Sequence, residues 1–177
     1  MNCLRHEGLG LHFCVTATTR RQRPGEEHGV NHYFVDRDEF LSMRDKGELL
    51  EWAVVHENYY GVPLMEVRKA FGLGADPLMR VDVQGAASVR ARLPQAVLVF
   101  LAPESVADLS PRLQERGTET AEEMALRLAN AWREMEALPQ FDYVVVNRSG
   151  CLEDSVAVVR AIVVAERSKV EPRWVIV

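Results

Sequence analysis

Three apolar runs constrain the fold of this chain more than anything else in it. Leu78 to Val83, Ala96 to Ala102 and Phe141 to Val146 read as strands buried on both faces of a parallel sheet. Helices are expected in the gaps, at about Gly85 to Arg92, Ser105 to Glu115, Ala121 to Ala137 and Leu152 to Arg167. Alternation of this kind needs right-handed crossovers and argues an α/β sheet. Pro111 is expected to kink the second of those helices.

Ahead of these runs the pattern is more broken. Leu11 to Val15 reads as a short buried strand ending at Thr16, and Arg20 to Gly29 as a polar loop turning at Pro24-Gly25. Asn31 to Val35 is apolar enough for a strand. Asp36, with Glu39 three residues on, resembles a capping box for a helix that runs to Lys46 and closes at Gly47. Glu48 to Tyr60 alternates well enough for one or two strands. Pro63 suits a first helical turn, and Gly72 and Gly74 stop that helix.

The 177 residues fit one domain, or one core with a small insertion. A formal charge of −5 argues against nucleic-acid and anionic-membrane partners, which usually need a net basic face. It leaves nucleotides open, because a few placed arginines set a local field. Cys3, Cys14 and Cys151 are odd in number and scattered, which implies reduced thiols, no disulfide framework and no metal site. No run reaches the length of a membrane span, and the first ten residues lack the pattern of a secretion signal or a transit peptide.

The motifs come next. Thr18-Thr19-Arg20-Arg21-Gln22-Arg23-Pro24-Gly25-Glu26 is followed by Leu50-Glu51-Trp52-Ala53, Asn58-Tyr59-Tyr60-Gly61 and Val81-Asp82-Val83-Gln84-Gly85-Ala86. In this order they resemble the nucleotide-acceptor site of the guanylate kinase family, and the likeness runs from about Leu11 to Val170. Leu11-His12-Phe13, Met79-Arg80-Val81-Asp82 and Ala165-Glu166-Arg167-Ser168-Lys169-Val170 are similar to the plant-organelle and related bacterial branch. The resemblance implies an α/β fold: a parallel-sheet, P-loop kinase-like core (1–19, 78–113, 136–177), an inserted mixed-β GMP-binding subdomain (20–77) and a helical lid (114–135).

Arg20 and Arg23 lie three apart in a Pro/Gly loop, where two guanidinium forks can converge on one phosphate. Taken alone, the segment reads more readily as a solvated basic turn beside Glu26 and Glu27. The resemblance makes these arginines the holders of the GMP phosphate, with Glu26 as their organiser and Tyr60 as a further contact; Tyr59 is assigned to packing. Glu51 and Asp82 match the carboxylates that accept the guanine donors, and Thr16 a hydroxyl at the end of the first strand. His32 stands where the family has tyrosine, and alone it reads as an ordinary strand residue. Val62 replaces a Ser or Thr that helps read the base, and Arg80 marks the branch. Arg112, Arg116 and Arg127 match the lid arginines that stabilise charge on the transferring phosphoryl group. Gly117-Thr118-Glu119-Thr120 is the expected lid turn, and plain surface arginine is the competing reading for Arg112. Asn147 resembles a residue near the donor adenine, with Arg148 replacing an acidic neighbour.

The 177 residues contain no G-x-x-x-x-G-K-[ST] phosphate loop: Lys46, Lys69 and Lys169 are the only lysines, and none has that context. Such a loop supplies the backbone N–H nest, the lysine and the Mg²⁺-binding hydroxyl that hold ATP. The first strand, loop and helix of the family are therefore expected to be missing, leaving a gap in the sheet. Two functions follow. One is a guanylate kinase transferring phosphate from Mg²⁺·ATP to GMP, with this chain start-truncated and inactive by itself. The other is a catalytically dead binding module for GMP, a phosphopeptide or a protein partner. A monomer or a homodimer is expected, in the cytoplasm, or in a plastid or mitochondrion if an upstream transit segment is missing.

Overall fold

The computed structural model describes residues 8–55, 57–104, 121–173 and 175, and of 121–128 it describes the backbone. The chain divides into two compact units, residues 1–96 with 174–177 and residues 97–173.

The first unit runs β1 (Leu11–Phe13), β2 (Thr16–Thr18), β3 (His32–Phe34), α1 (Arg37–Asp45), β4 (Leu49–Val55), β5 (Asn58–Pro63), α2 (Leu64–Gly72), β6 (Asp76–Leu78) and α3 (Val83–Arg92). Its main sheet has the order β3-β2-β5-β4, with β2 parallel to β3 and antiparallel to β5, and β4 antiparallel to β5. Three of its strands lie within 20–77, where a mixed β subdomain is expected, and β2 comes from the stretch assigned to the core. β1 and β6 form a separate parallel pair.

Under the mixed sheet lie Ala17, Phe40 and Leu49, with Tyr33, Val35, Met43 and Tyr59 packed around them. The α1 helix reaches this core because Asp36 caps it: one carboxylate oxygen accepts the Glu39 N–H at 2.8 Å. Tyr59 stacks at 5.3 Å from Phe40, the packing role its position suggested. Pairing of β4 with β5 slips by one residue between Leu49 and Glu51, a β-bulge.

The second unit contains β7 (Val99–Pro103), α4 (Ala121–Glu136), a 3₁₀ turn (Leu138–Gln140), β8 (Tyr143–Asn147) and α5 (Leu152–Arg167). β7 and β8 pair in parallel from Val99↔Tyr143 to Pro103↔Asn147. Glu166, near the end of α5, accepts from the Tyr143 hydroxyl at 2.5 Å and the Lys169 ammonium at 2.7 Å. Arg173 pairs with both Glu166 and Asp142.

Three expectations need correcting. The run Leu78 to Val83 is not a strand: β6 ends at Leu78, since Arg80 and Asp82 are polar and Asp82 is used as a helix cap. α3 accordingly starts at Val83, two residues before Gly85. The single strand expected from Leu11 to Thr16 is two strands, because at Cys14 and Val15 the chain leaves the β6 ladder and enters the mixed sheet. The helix expected at 105–115, the kink at Pro111 and the turn at 117–120 fall outside the described residues. No helix among the described residues is long and apolar enough to cross a membrane.

Candidate functional site

The loop from β2 to β3 is organised by one carboxylate. Glu26 accepts from the Arg20 guanidinium at 2.8 and 3.1 Å, and from the backbone N–H of Arg23 at 2.8 Å. Arg20 also donates to its neighbour's carbonyl, Arg21 O, and its backbone N–H is held by the Thr18 hydroxyl at 3.2 Å. Hydrogen bonding to Arg20 first, then to the Arg23 N–H, draws the Glu26 carboxyl down to about 2. Glu26, and next Tyr60, hold the Arg20 guanidinium more firmly charged than usual. The Arg23 side chain is exposed at the loop surface.

Beside this loop sits His32, 7% exposed, whose Nδ1 lies 2.7 Å from the Thr16 hydroxyl. Its ring meets Tyr60 edge-on, with centroids 6.1 Å apart. Burial lowers the His32 pKa, and Arg80 and Arg20 lower it further. Arg20, Thr16, His32 and Tyr60 thus gather around one rim of the mixed sheet. The Arg20 guanidinium and the hydroxyl-bearing ring of Tyr60 at that rim suit an anion.

Glu51 is a different kind of group. It follows the β4 bulge, is 5% exposed, and points at the start of α3. Burial, and then the charge of Asp82, push its carboxyl up to about 7; the Val62 N–H and Arg92 pull the other way. Asp82 caps α3, its Oδ1 accepting the Gly85 N–H at 2.8 Å. Gly85 leaves the room that Glu51 occupies. A buried carboxylate with no ion-pair partner among the described residues suits a pair of N–H donors, which would stabilise its charged form. Val62, across the ladder from Glu51, is fully buried and offers no hydroxyl.

Sequence reasoning missed Glu66. This side chain on α2 is fully buried, and it joins β1, β3 and the link between β1 and β2. It accepts the Val15 N–H at 3.1 Å and the Tyr33 hydroxyl at 2.9 Å, and meets His12 Nε2 at 3.2 Å. Lys69, one turn along, lies at 3.6 Å. Burial acts to raise its pKa, but the bonds from Val15, Tyr33 and His12 outweigh it and hold the carboxyl below 4.5. Burial, and then the same contact, push Tyr33 up to about 12. The only signal in the sequence was a glutamate one residue before Val67 and four before Ala70, on the face that the helix buries.

In the second unit Asn147 ends β8, and its Oδ1 accepts from Ser155 of α5 at 3.3 Å. Arg148 faces Glu104 across 3.5 Å at the surface. Arg112 and Arg116 lie outside the described residues, as does the side chain of Arg127, whose backbone is in α4.

The sequence profile of the family described as guanylate kinase matches residues 3–166. The chain is 45% identical over 173 residues to "Guanylate kinase 2, chloroplastic/mitochondrial" of Oryza sativa subsp. japonica, covering 97% of this chain and 61% of that protein. It is 43% identical over 170 residues to the guanylate kinase of Halalkalibacterium halodurans, covering 96% and 82%. The crystal structure of guanylate kinase from Anaplasma phagocytophilum superposes with a TM-score of 0.79 at 30% identity, covering 96% of this chain and 81% of that one. The chain thus spans about three-fifths of the rice protein and four-fifths of the bacterial ones. With a profile that covers nearly the whole sequence and an α/β fold shared with a solved relative, the chain belongs to the guanylate kinase family.

Proposed function

We propose that the first unit is the GMP-accepting side of a guanylate kinase, which passes a phosphoryl group from Mg²⁺·ATP to GMP. The observation that carries this is the pairing of two opposite environments on one small unit. A rim with the guanidiniums of Arg20 and Arg23, beside a neutral His32, Tyr60 and Thr16, meets the monophosphate, and a carboxylate pair, the buried Glu51 and the half-buried Asp82, meets the base.

Each half has its own chemistry. Glu26 spends its charge holding Arg20 and the Arg23 backbone in place, so Arg20 arrives at a phosphate already oriented. Glu51 is poised near neutrality when empty and gains from donors on N1 and the exocyclic amine of guanine. Adenine presents a bare N1 there, which would leave the carboxylate buried and unpaired. The transferring phosphoryl group falls, by resemblance, to Arg112, Arg116 and Arg127. Asn147 falls to the donor adenine.

Mg²⁺ belongs to the ATP complex in this reading. Among the described residues no cluster of three or more His, Cys, Asp or Glu could hold a metal ion, so no step is assigned to a protein-bound one. The 177 residues contain no G-x-x-x-x-G-K-[ST] segment to cradle the donor triphosphate. On their own they are expected to bind GMP without turning it over.

Calorimetric titration with GMP and AMP tests the proposal. GMP is expected to bind roughly ten- to a hundredfold more tightly than AMP, the worth of about 1.5–3 kcal/mol for bonds to a charged acceptor. Equal affinity for the two nucleotides, or preference for a phosphopeptide over GMP, would overturn it.

A further inference from the structure

We propose that Arg92 is a positioning residue for base recognition: from the far end of α3 it pins the β4 bulge that aims Glu51 into the pocket. The inference rests on the reading of Glu51 as the guanine acceptor.

Glu51 owes its direction to an irregularity. Leu49 faces Pro63 across the β4–β5 ladder, and the next pair is Glu51 with Val62, so Leu50 is an extra residue. At that point Leu49, Leu50 and Glu51 are buried in succession; beyond it the usual alternation returns, with Trp52 and Val54 exposed and Ala53 buried. A bulge disrupts its ladder locally and bends its strand, so something must hold it in one geometry. Arg92 does so. Its Nη1 donates to Leu49 O at 2.9 Å and to Leu50 O at 2.6 Å, the two carbonyls that flank the extra residue.

The same helix contributes at both ends. At the start of α3, capped by Asp82, Gly85 leaves the space that the Glu51 carboxylate fills, and Arg92 at the last turn grips the backbone one and two residues before Glu51. The distance from bulge to pocket wall is therefore fixed by one rigid element. The charge of Arg92 also favours the ionised form of Glu51, although the guanidinium makes its bonds to carbonyls and not to that carboxylate.

A merely structural arginine would, when removed, weaken every ligand alike. A positioning arginine should cost the base contacts selectively. The test measures GMP and IMP affinities of wild type, Arg92→Met, Arg92→Gln and Arg92→Lys by calorimetry. IMP lacks the exocyclic amine, so the GMP/IMP ratio reports the aim of Glu51. Arg92→Met and Arg92→Gln are expected to lower GMP affinity at least tenfold and to shrink the GMP/IMP ratio to within about twofold of unity. Arg92→Lys, which keeps a charged donor, should restore most of the ratio. Folded variants that keep the wild-type ratio would overturn the proposal. So would failure of both Arg92→Met and Arg92→Gln to fold, since Arg92 would then anchor the unit as a whole. Wild type showing no preference for GMP over AMP would instead sink the reading of the site, a result distinguishable from either.

Discussion

The Glu51 carboxylate occupies the space that any side chain at position 85 would need: a Cβ built on Gly85 would stand 2.6 Å from Glu51 Oε2. The glycine in this helix is set by a neighbour, and not by its own backbone conformation. Gly85→Ala should therefore displace the carboxylate and cost GMP affinity tenfold or more. Stability should change little, by under about 1 kcal/mol, because alanine favours the helix while the Val81 Cβ at 3.0 Å must give slightly. Calorimetry and thermal unfolding on the same variant separate the two; unchanged GMP binding would show that Glu51 does not meet the base.

The Glu51 carboxyl, pushed up to about 7, makes the pocket sensitive to pH. A carboxyl raised above its unfolded value of 4.5 adds stability that is complete below pH 4.5 and is lost as pH rises to about 7. Ligand binding should run the other way, since the donors of guanine want the charged form. Carbon-13 NMR of Glu51 is expected to show a midpoint near 7 in the free protein that falls on adding GMP. A midpoint that does not move with GMP contradicts the assignment.

Arg20 and Glu26 give the opposite sign. With its carboxyl drawn down to about 2, Glu26 contributes stability present above pH 4.5 and lost as pH falls towards 2. In Arg20→Ala its midpoint should climb back towards 4.5, though not fully, because the Arg23 N–H still donates to it. An NMR titration reads this directly, and no rise would mean that Arg20 is not its main partner.

His32 should titrate below 6.5 in the free protein, held down by burial and by Arg80 and Arg20. Arg80→Gln is expected to raise that midpoint, followed through the imidazole proton resonances. Because a lowered histidine pKa favours the neutral folded form, acid destabilisation between pH 6.5 and the folded midpoint should be weaker in the same variant. Identical titration curves would remove Arg80 from the local field.

Glu66→Ala should be the most damaging of these changes to the fold. It leaves the Val15 N–H and the Tyr33 hydroxyl without their acceptor in a buried place, at about 3 kcal/mol. Urea unfolding checks the value. A loss below about 1 kcal/mol would mean that water replaces the carboxylate.

Much of this was legible in the chain. Asp36 with Glu39 announced the start of α1, and Leu152 to Arg167 is a helix over the span expected from strand–helix alternation. Of the residues quoted for the acceptor site, Arg20 meets Glu26 and Thr16 meets His32. What stayed hidden depends on neighbours distant in sequence. Asp82 was read inside a strand because a helix cap and a strand-end acid look alike until the Gly85 N–H is seen to point at it. Arg92 gave no sign of its role, since the carbonyls it grips are 42 and 43 residues away. Glu66 drew no reading at all, 51 residues from the backbone group it serves.

That last arrangement sets an asymmetry between chemistry and architecture. Under the proposed function Glu51 and Arg20 serve a ligand, and a lineage that stopped handling nucleotides would be free to lose them. Glu66 answers to the strands themselves, so a descendant of this protein repurposed for any other task would still have to inherit it.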